Sequence, residues 1–189
     1  MIPALVIAVL MATAPFYDGC RELTDDVLRV HIIANSDSAA DQSLKLAVRD
    51  RVVQECSVYY DGCESKEQAR EITGAHLSDI ERIAEDEVRR HGFDYPVTAE
   101  LDEMYFDTRA YDDFTMPAGR YEALRLRIGA GEGQNWWCVI YPTLCIGAAC
   151  RDTMHEDLSS GEYRVVSSDR TDFRFKIVEW FEGFLNWFR

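Results

Sequence analysis

The chain has 189 residues, of which 47% are hydrophobic, enough to bury one core. Its formal net charge of −14 gives no general attraction for phosphate backbones, and no helix-turn-helix, basic stripe or RNA-binding aromatic motif offsets that. Nucleic acid is therefore excluded as a partner. No H-x-x-x-H, H-E-x-x-H or calcium loop occurs and the four histidines lack ligand spacing, so neither a metal nor a cofactor is expected.

Ile2–Phe16 carries no charge. A spanning helix needs about 20 residues, so this run better suits the apolar core of a signal peptide, with Ala12-Thr13-Ala14 as an A-x-A site. Pro15 would then be the first mature residue, and no Lys or Arg precedes the run. Residues 1–20 thus read as a signal peptide or a retained N-terminal membrane anchor, and residues 21–189 as one domain.

Leu28–Asn35 alternates as a strand, with Leu28, Val30, Ile32 and Ala34 on one face and Arg29, His31 and Asn35 on the other. Asn35-Ser36-Asp37-Ser38 forms a strand-to-helix turn. Ser38 with Asp41 resembles a capping box, and the helix after it shows the stripe Leu44, Val48, Val52 and Cys56. Ser65 and Gln68 cap a second helix that runs to Gly92 and carries His76 on its apolar side as a hydrogen-bonded core residue. The two helices read as an αα-hairpin.

Val97–Glu103 alternates again, and its outward Glu100 and Asp102 can pair with Arg125 and Arg127 of the strand ending at Ile128. Gly129, Gly131 and Gly133 then suit a hairpin loop into the strand from Trp136 to Tyr141. Trp136, Cys138 and Ile140 point one way and Trp137, Val139 and Tyr141 the other, so both faces of this strand are apolar. Residues 146–161 read as a mobile polar linker and Tyr163–Val166 as a short strand. Residues 172–188 read as an amphipathic helix capped by Asp172, with core docking favoured over a membrane or partner role. The expected fold is α+β: a mostly antiparallel sheet of about four strands, the αα-hairpin after the first strand, and the C-terminal helix.

Six cysteines, without a C-x-x-C, allow fifteen pairings. The economical pairing is two local bridges, Cys56–Cys63 and Cys138–Cys145, with Cys20–Cys150 as a long-range option. An apolar N-terminus suits an oxidising compartment; buried free thiols are the alternative.

Two catalytic readings deserve weighing. Ser36 and Asp37 lie near His31 in sequence, but no G-x-S-x-G elbow is present. Cys138 with His31 would need a free thiol, which a bridge removes. The glycine run lacks the helix N-terminus that phosphate binding needs. His31, Asn35, Ser36, Asp37 and Asp41, together with Trp136 and Trp137, are instead the candidate partner-binding surface, since adjacent tryptophans cannot share one face.

Two blocks carry a family resemblance. Pro117-Ala118-Gly119-x-Tyr121-Glu122-Ala123-Leu124-Arg125, Ile128-Gly129-x-Gly131-Glu132-Gly133-x-Asn135-Trp136-Trp137-Cys138-Val139 and Pro142-x-Leu144-Cys145 make up the first. His31–Asp50, HIIANSDSAADQSLKLAVRD, is the second. From about Leu28 to Cys145 the chain resembles the stage II sporulation protein R family of spore-forming bacteria. The resemblance implies a secreted signalling protein without enzymatic activity, exported from the forespore into the space between forespore and mother cell. There it would activate a membrane-embedded aspartic protease that processes the precursor of the mother-cell sigma factor, sigma-E. An extracytoplasmic hydrolase using Cys138 or Ser36 is the alternative.

Overall fold

The computed structural model describes residues 2–111, 114–142, 158–168 and 173–187, with side chains from Thr13 onward. The architecture is α+β. Its main sheet has four strands in the order β2-β5-β1-β6: β1 is Leu28–Ile33, β2 Val97–Phe106, β5 Gly119–Ile128 and β6 Asn135–Tyr141. β1 is central, parallel to β5 and antiparallel to β6. The described chain divides into two compact units, one of residues 27–103 and 122–142, the other of 2–26, 104–121 and the described residues from 158 onward.

In the first unit alternation does what the sequence demands. Leu28, Val30 and Ile32 join Leu124, Leu126 and Ile128 of β5 and Cys138 and Ile140 of β6 in one buried cluster. Helices α2 (Ala39–Cys56) and α4 (Leu77–Arg90) cover it with Leu44, Val48, Val52, Ile80, Ile83 and Val88. A register shift between Leu28 and Arg29 sets Tyr141 opposite Leu28, so Tyr141 packs against this core although strict alternation assigns it to the other face. Arg125 bridges Glu100 at 2.8 Å and Asp102 at 3.0 Å, as the outward acids of β2 led us to expect.

Several expectations are corrected. β5 and β6 do not form a hairpin, because β1 lies between them; the glycine-rich loop crosses the end of β1 instead. The helix after Ser65 is two helices, α3 (Lys66–Ala75) and α4, broken at His76. At the break the His76 ring stacks on Tyr59 at 4.0 Å. The Cys56–Cys63 bridge does not form: both thiols are free. A 3-10 turn, Ser57–Tyr60, continues from α2, and the Cys63 thiol donates to the Ser65 carbonyl while Cys56 is buried. Cys20 is also free and buried, so the Cys20–Cys150 option is not taken. Cys138 is disulfide-bonded; Cys145, its expected partner, lies outside the described residues, as do Cys150, Asp172 and most of the expected linker 146–161.

In the second unit α1 spans Ile2–Asp26 with Pro15 inside it, and no helix among the described residues is long and apolar enough to cross a membrane. Phe16, Cys20 and Leu23 of α1 are buried. The expected strand Tyr163–Val166 is a helix, Ser160–Val166. Ser159 and Glu162 form a full capping box there, which favours helix over strand. A two-stranded ribbon pairs β3 (Arg109–Ala110) with β4 (Thr115–Met116). The Tyr121 hydroxyl donates to the Pro117 carbonyl at 2.8 Å. The helix Phe173–Trp187 buries Phe175 and Val178.

Leu124 is 2% exposed on β5, next to β1. Leu124→Ala removes buried methyl groups from the middle of this core and should cost about 2–5 kcal/mol, read as a lower denaturant midpoint with unchanged slope. A loss below about 1 kcal/mol would contradict the central placement of β5.

Candidate functional site

The two sequence blocks meet at the C-terminal end of β1. From Ile33 the chain turns through Ala34–Ser38 into α2. The segment from Gly129 to Gln134 leaves β5 on one side of β1, arches over this turn and enters β6 on the other. The arch is held by backbone groups. Gly133 N–H donates to Ala34 O at 2.9 Å and Glu132 N–H to Asn35 O at 3.2 Å. Ala130 N–H donates to Asn35 Oδ1 at 3.0 Å and Gln134 N–H to Asp37 Oδ1 at 2.7 Å. Gly129 N–H donates to Pro96 O at 2.8 Å.

Two glycines follow from this close approach. A Cβ at Gly133 would lie 2.3 Å from the Ser36 carbonyl oxygen. Gly129 has φ +58, and a Cβ there would lie 2.3 Å from Asn35 Oδ1.

Asp41 anchors the turn from below. It is 4% exposed, and its Oδ2 accepts from Asn35 Nδ2 at 2.9 Å and from Ser36 Oγ at 2.5 Å. Its own N–H donates to Ser38 Oγ, the N-cap of α2. The bond from Ser36, then that from Asn35, hold its carboxyl below the usual carboxylate range. Lys45 is nearly buried and donates to Gln134 O at 2.9 Å and Gln42 Oε1 at 2.7 Å. Burial lowers its pKa, with Asp37 opposing.

The sheet face bearing Arg29 carries the second half of the site. His31 is 7% exposed; its Nε2 pairs with Asn135 Oδ1 at 2.8 Å and its ring stacks on Trp137 at 3.7 Å. Burial pushes its pKa down to about 4, with Arg125 and Arg29 adding to that and the Asn135 bond opposing it. The ring is therefore neutral at physiological pH. Trp136 takes the opposite face, packed against the core with the Arg49 guanidinium 5.2 Å over its ring. Both tryptophans are half-buried, each with a covered side, which resolves how adjacent large rings are accommodated.

The chemistry that this arrangement supports is narrow. The Ser36 hydroxyl donates to Asp41 and accepts from Ser38 N–H, so no imidazole activates it. Cys138 is disulfide-bonded and carries no thiolate. No group of three or more His, Cys, Asp or Glu among the described residues is placed to hold a metal. Of the predicted surface residues, His31 and Asp41 face inward, Asn35, Ser36, Trp136 and Trp137 are half-buried, and Asp37 is exposed. Sequence reasoning passed over Lys45, Gln134 and Asn135. Asn135 and Gln134 sit inside the glycine-tryptophan block and Lys45 inside the block His31–Asp50, which was the available signal.

Residues 24–150 match the family model for Stage II sporulation protein R (spore_II_R). The chain is 31% identical over 181 residues to the Stage II sporulation protein R of Bacillus subtilis (strain 168), covering 84% of this chain and 81% of that protein. No solved structure matches.

Gly133→Ala should destabilise the protein by about 3 kcal/mol, the upper end of overpacking costs, because its obstacle is backbone. A denaturant melt within about 0.5 kcal/mol of the parent would show that the arch yields freely. The His31 pKa is lower folded than unfolded, so its contribution to stability is complete above about pH 6.5 and falls away as pH drops toward 4. His31→Gln should flatten the denaturant midpoint between those values; an unchanged pH profile would remove His31 as the titrating group.

Proposed function

Because this chain belongs to the stage II sporulation protein R family, we propose that it is an exported sporulation signal that activates a membrane-embedded aspartic protease. That protease processes the precursor of the mother-cell sigma factor, sigma-E. The protein is secreted from the forespore and acts in the space between forespore and mother cell, with residues 1–20 as its signal peptide or N-terminal anchor. The signal acts by binding, with no bond made or broken by its own side chains.

One observation carries this reading. The residues that a hydrolase would need are all committed to structure: Ser36 to Asp41, His31 to Asn135 and Cys138 to a disulfide. What the arch leaves outward is a rigid rim, with exposed Asp37, Ser38, Glu132, Gln134 and Asn135 beside the half-buried Trp136 and Trp137. A pre-organised rim lowers the ordering cost of association. Activation then requires that the rim bind the active form of the protease better than the resting form, because only differential affinity shifts an equilibrium.

The division of labour between buried and exposed members is testable. The protease, its precursor substrate and this chain are co-expressed in a host that does not sporulate, and precursor cleavage is followed. Cleavage should depend on the chain. Asp37→Ala removes the acceptor of one bond to the arch, worth about 1 kcal/mol, and should leave a folded protein with at least about tenfold less cleavage. Cleavage without the chain would refute activation; full cleavage with Asp37→Ala would remove the rim from the contact.

A further inference from the structure

Helix α2 has a second working side besides the one that fills the core. Gln42, Lys45 and Arg49 recur in steps of three and four, so they share the flank of the stripe Leu44, Val48 and Val52. All three reach the turn, the arch or the start of β6. Gln42 Nε2 donates to Ser36 O at 2.9 Å, Lys45 Nζ donates to Gln134 O at 2.9 Å, and the Arg49 guanidinium lies over Trp136.

Lys45 is the member withdrawn from water. It is 5% exposed, and a buried ammonium needs hydrogen bonds in place of its hydration. One goes to Gln42 Oε1 at 2.7 Å and the other to a single main-chain carbonyl, that of Gln134. Asp37 Oδ1 accepts the N–H of the same residue at 2.7 Å. An ammonium and a carboxylate therefore hold the main chain of Gln134 at both ends, while the residue itself is exposed. Its neighbours are fixed too: Gly133 N–H by Ala34 O, and the Asn135 side chain by His31.

The rim divides accordingly. Asp37, Ser38 and Asn135 turn side-chain oxygens inward, to Gln134 N–H, Asp41 N–H and His31. Glu132 and Gln134 make no side-chain hydrogen bond among the described residues. Glu132 is held through its N–H, at 3.2 Å, whereas Gln134 is held through N–H and carbonyl alike. The most firmly placed residue of the rim thus has an unengaged side chain.

We propose that Gln134 is the specificity-determining contact of the rim, that its carboxamide reads a main-chain peptide group of the protein partner, and that Lys45 is the residue that positions it. This rests on the reading of the chain as a protease-activating signal. A carboxamide offers a donor and an acceptor side by side, the complement of a peptide group. It carries no charge, so the contact strips no ion of its water. With the main chain already fixed, only the rotamers of one side chain need ordering on contact.

The full chain is tested in the co-expression assay, with cleavage compared at equal amounts of folded protein. Gln134→Ala keeps both main-chain bonds, so its denaturant midpoint should match the parent while cleavage falls at least about tenfold. Gln134→Glu keeps acceptors but has no donor, and its cleavage should fall as far. Lys45→Met should lower cleavage in the parent and have no further effect in Gln134→Ala, because it acts through that residue. Lys45→Arg, which keeps a charge and donors, should retain most cleavage. Full cleavage with Gln134→Ala overturns the proposal. Full cleavage with Gln134→Glu would assign the contact to a donor-only group such as a lysine and overturn the peptide-group reading. An equal loss from Lys45→Met in both backgrounds would make Lys45 a stabiliser of the fold and overturn its positioning role. The Gln134 series decides the contact even if Lys45→Met does not fold. Cleavage without the chain refutes activation itself, whereas chain-dependent cleavage that ignores Gln134 refutes this contact alone.

Discussion

The structure turns on a backbone arch closed over the end of a central strand. β1 has β5 on one side and β6 on the other, so the loop joining those two strands must pass over the point where β1 leaves the sheet. Five main-chain N–H groups of the arch are satisfied there, by Ala34, by both oxygens of Asn35, by Asp37 and by Pro96. Loops of irregular backbone are usually solvated because their polar groups need partners. Here four of the five partners come from the turn below and the fifth from Pro96, ahead of β2, and the price is two positions that tolerate only hydrogen in place of a side chain.

Asn35 explains why that turn needs its particular residues. Its amide oxygen accepts from Ala130 and its amide nitrogen donates to Asp41, so one side chain joins the arch above to the helix cap below. Aspartate at 35 could not donate, and serine could not reach both. Asp41 in turn holds Ser36, and through Ser38 the same residues start α2. A carboxylate taken from water is costly unless hydrogen-bonded to this extent. The network thus reads as an adhesive between two segments far apart in the chain, with its outer edge, Asp37, Ser38, Glu132, Gln134 and Asn135, left exposed.

The strands, α2 and the core positions were legible because each rests on a local period: two for β1, β2, β5 and β6, and between three and four for the helix stripes. Ser38 and Ser65 announced their caps correctly. What escaped was set by non-local geometry. Gly129, Gly131 and Gly133 suggest a tight hairpin because their backbone freedom is local information, whereas the insertion of β1 between β5 and β6 is not. The break at His76 coincides with ring stacking on Tyr59, a contact no helical periodicity encodes. At 163–166 the expected strand is a helix, and the Ser159–Glu162 capping box that starts it was readable in the sequence. In the candidate site, sequence could not say that Asp41 and His31 point inward while Asp37 points out.

The placement of β1 also bears on when the chain can fold. Its two sheet neighbours are made about ninety residues or more after it, so the centre of the sheet waits for nearly the whole unit to be synthesised. Closing such distant contacts is entropically slow. A sheet whose middle is completed last keeps the edges of β1 unpaired in the nascent chain until β5 and β6 have both emerged.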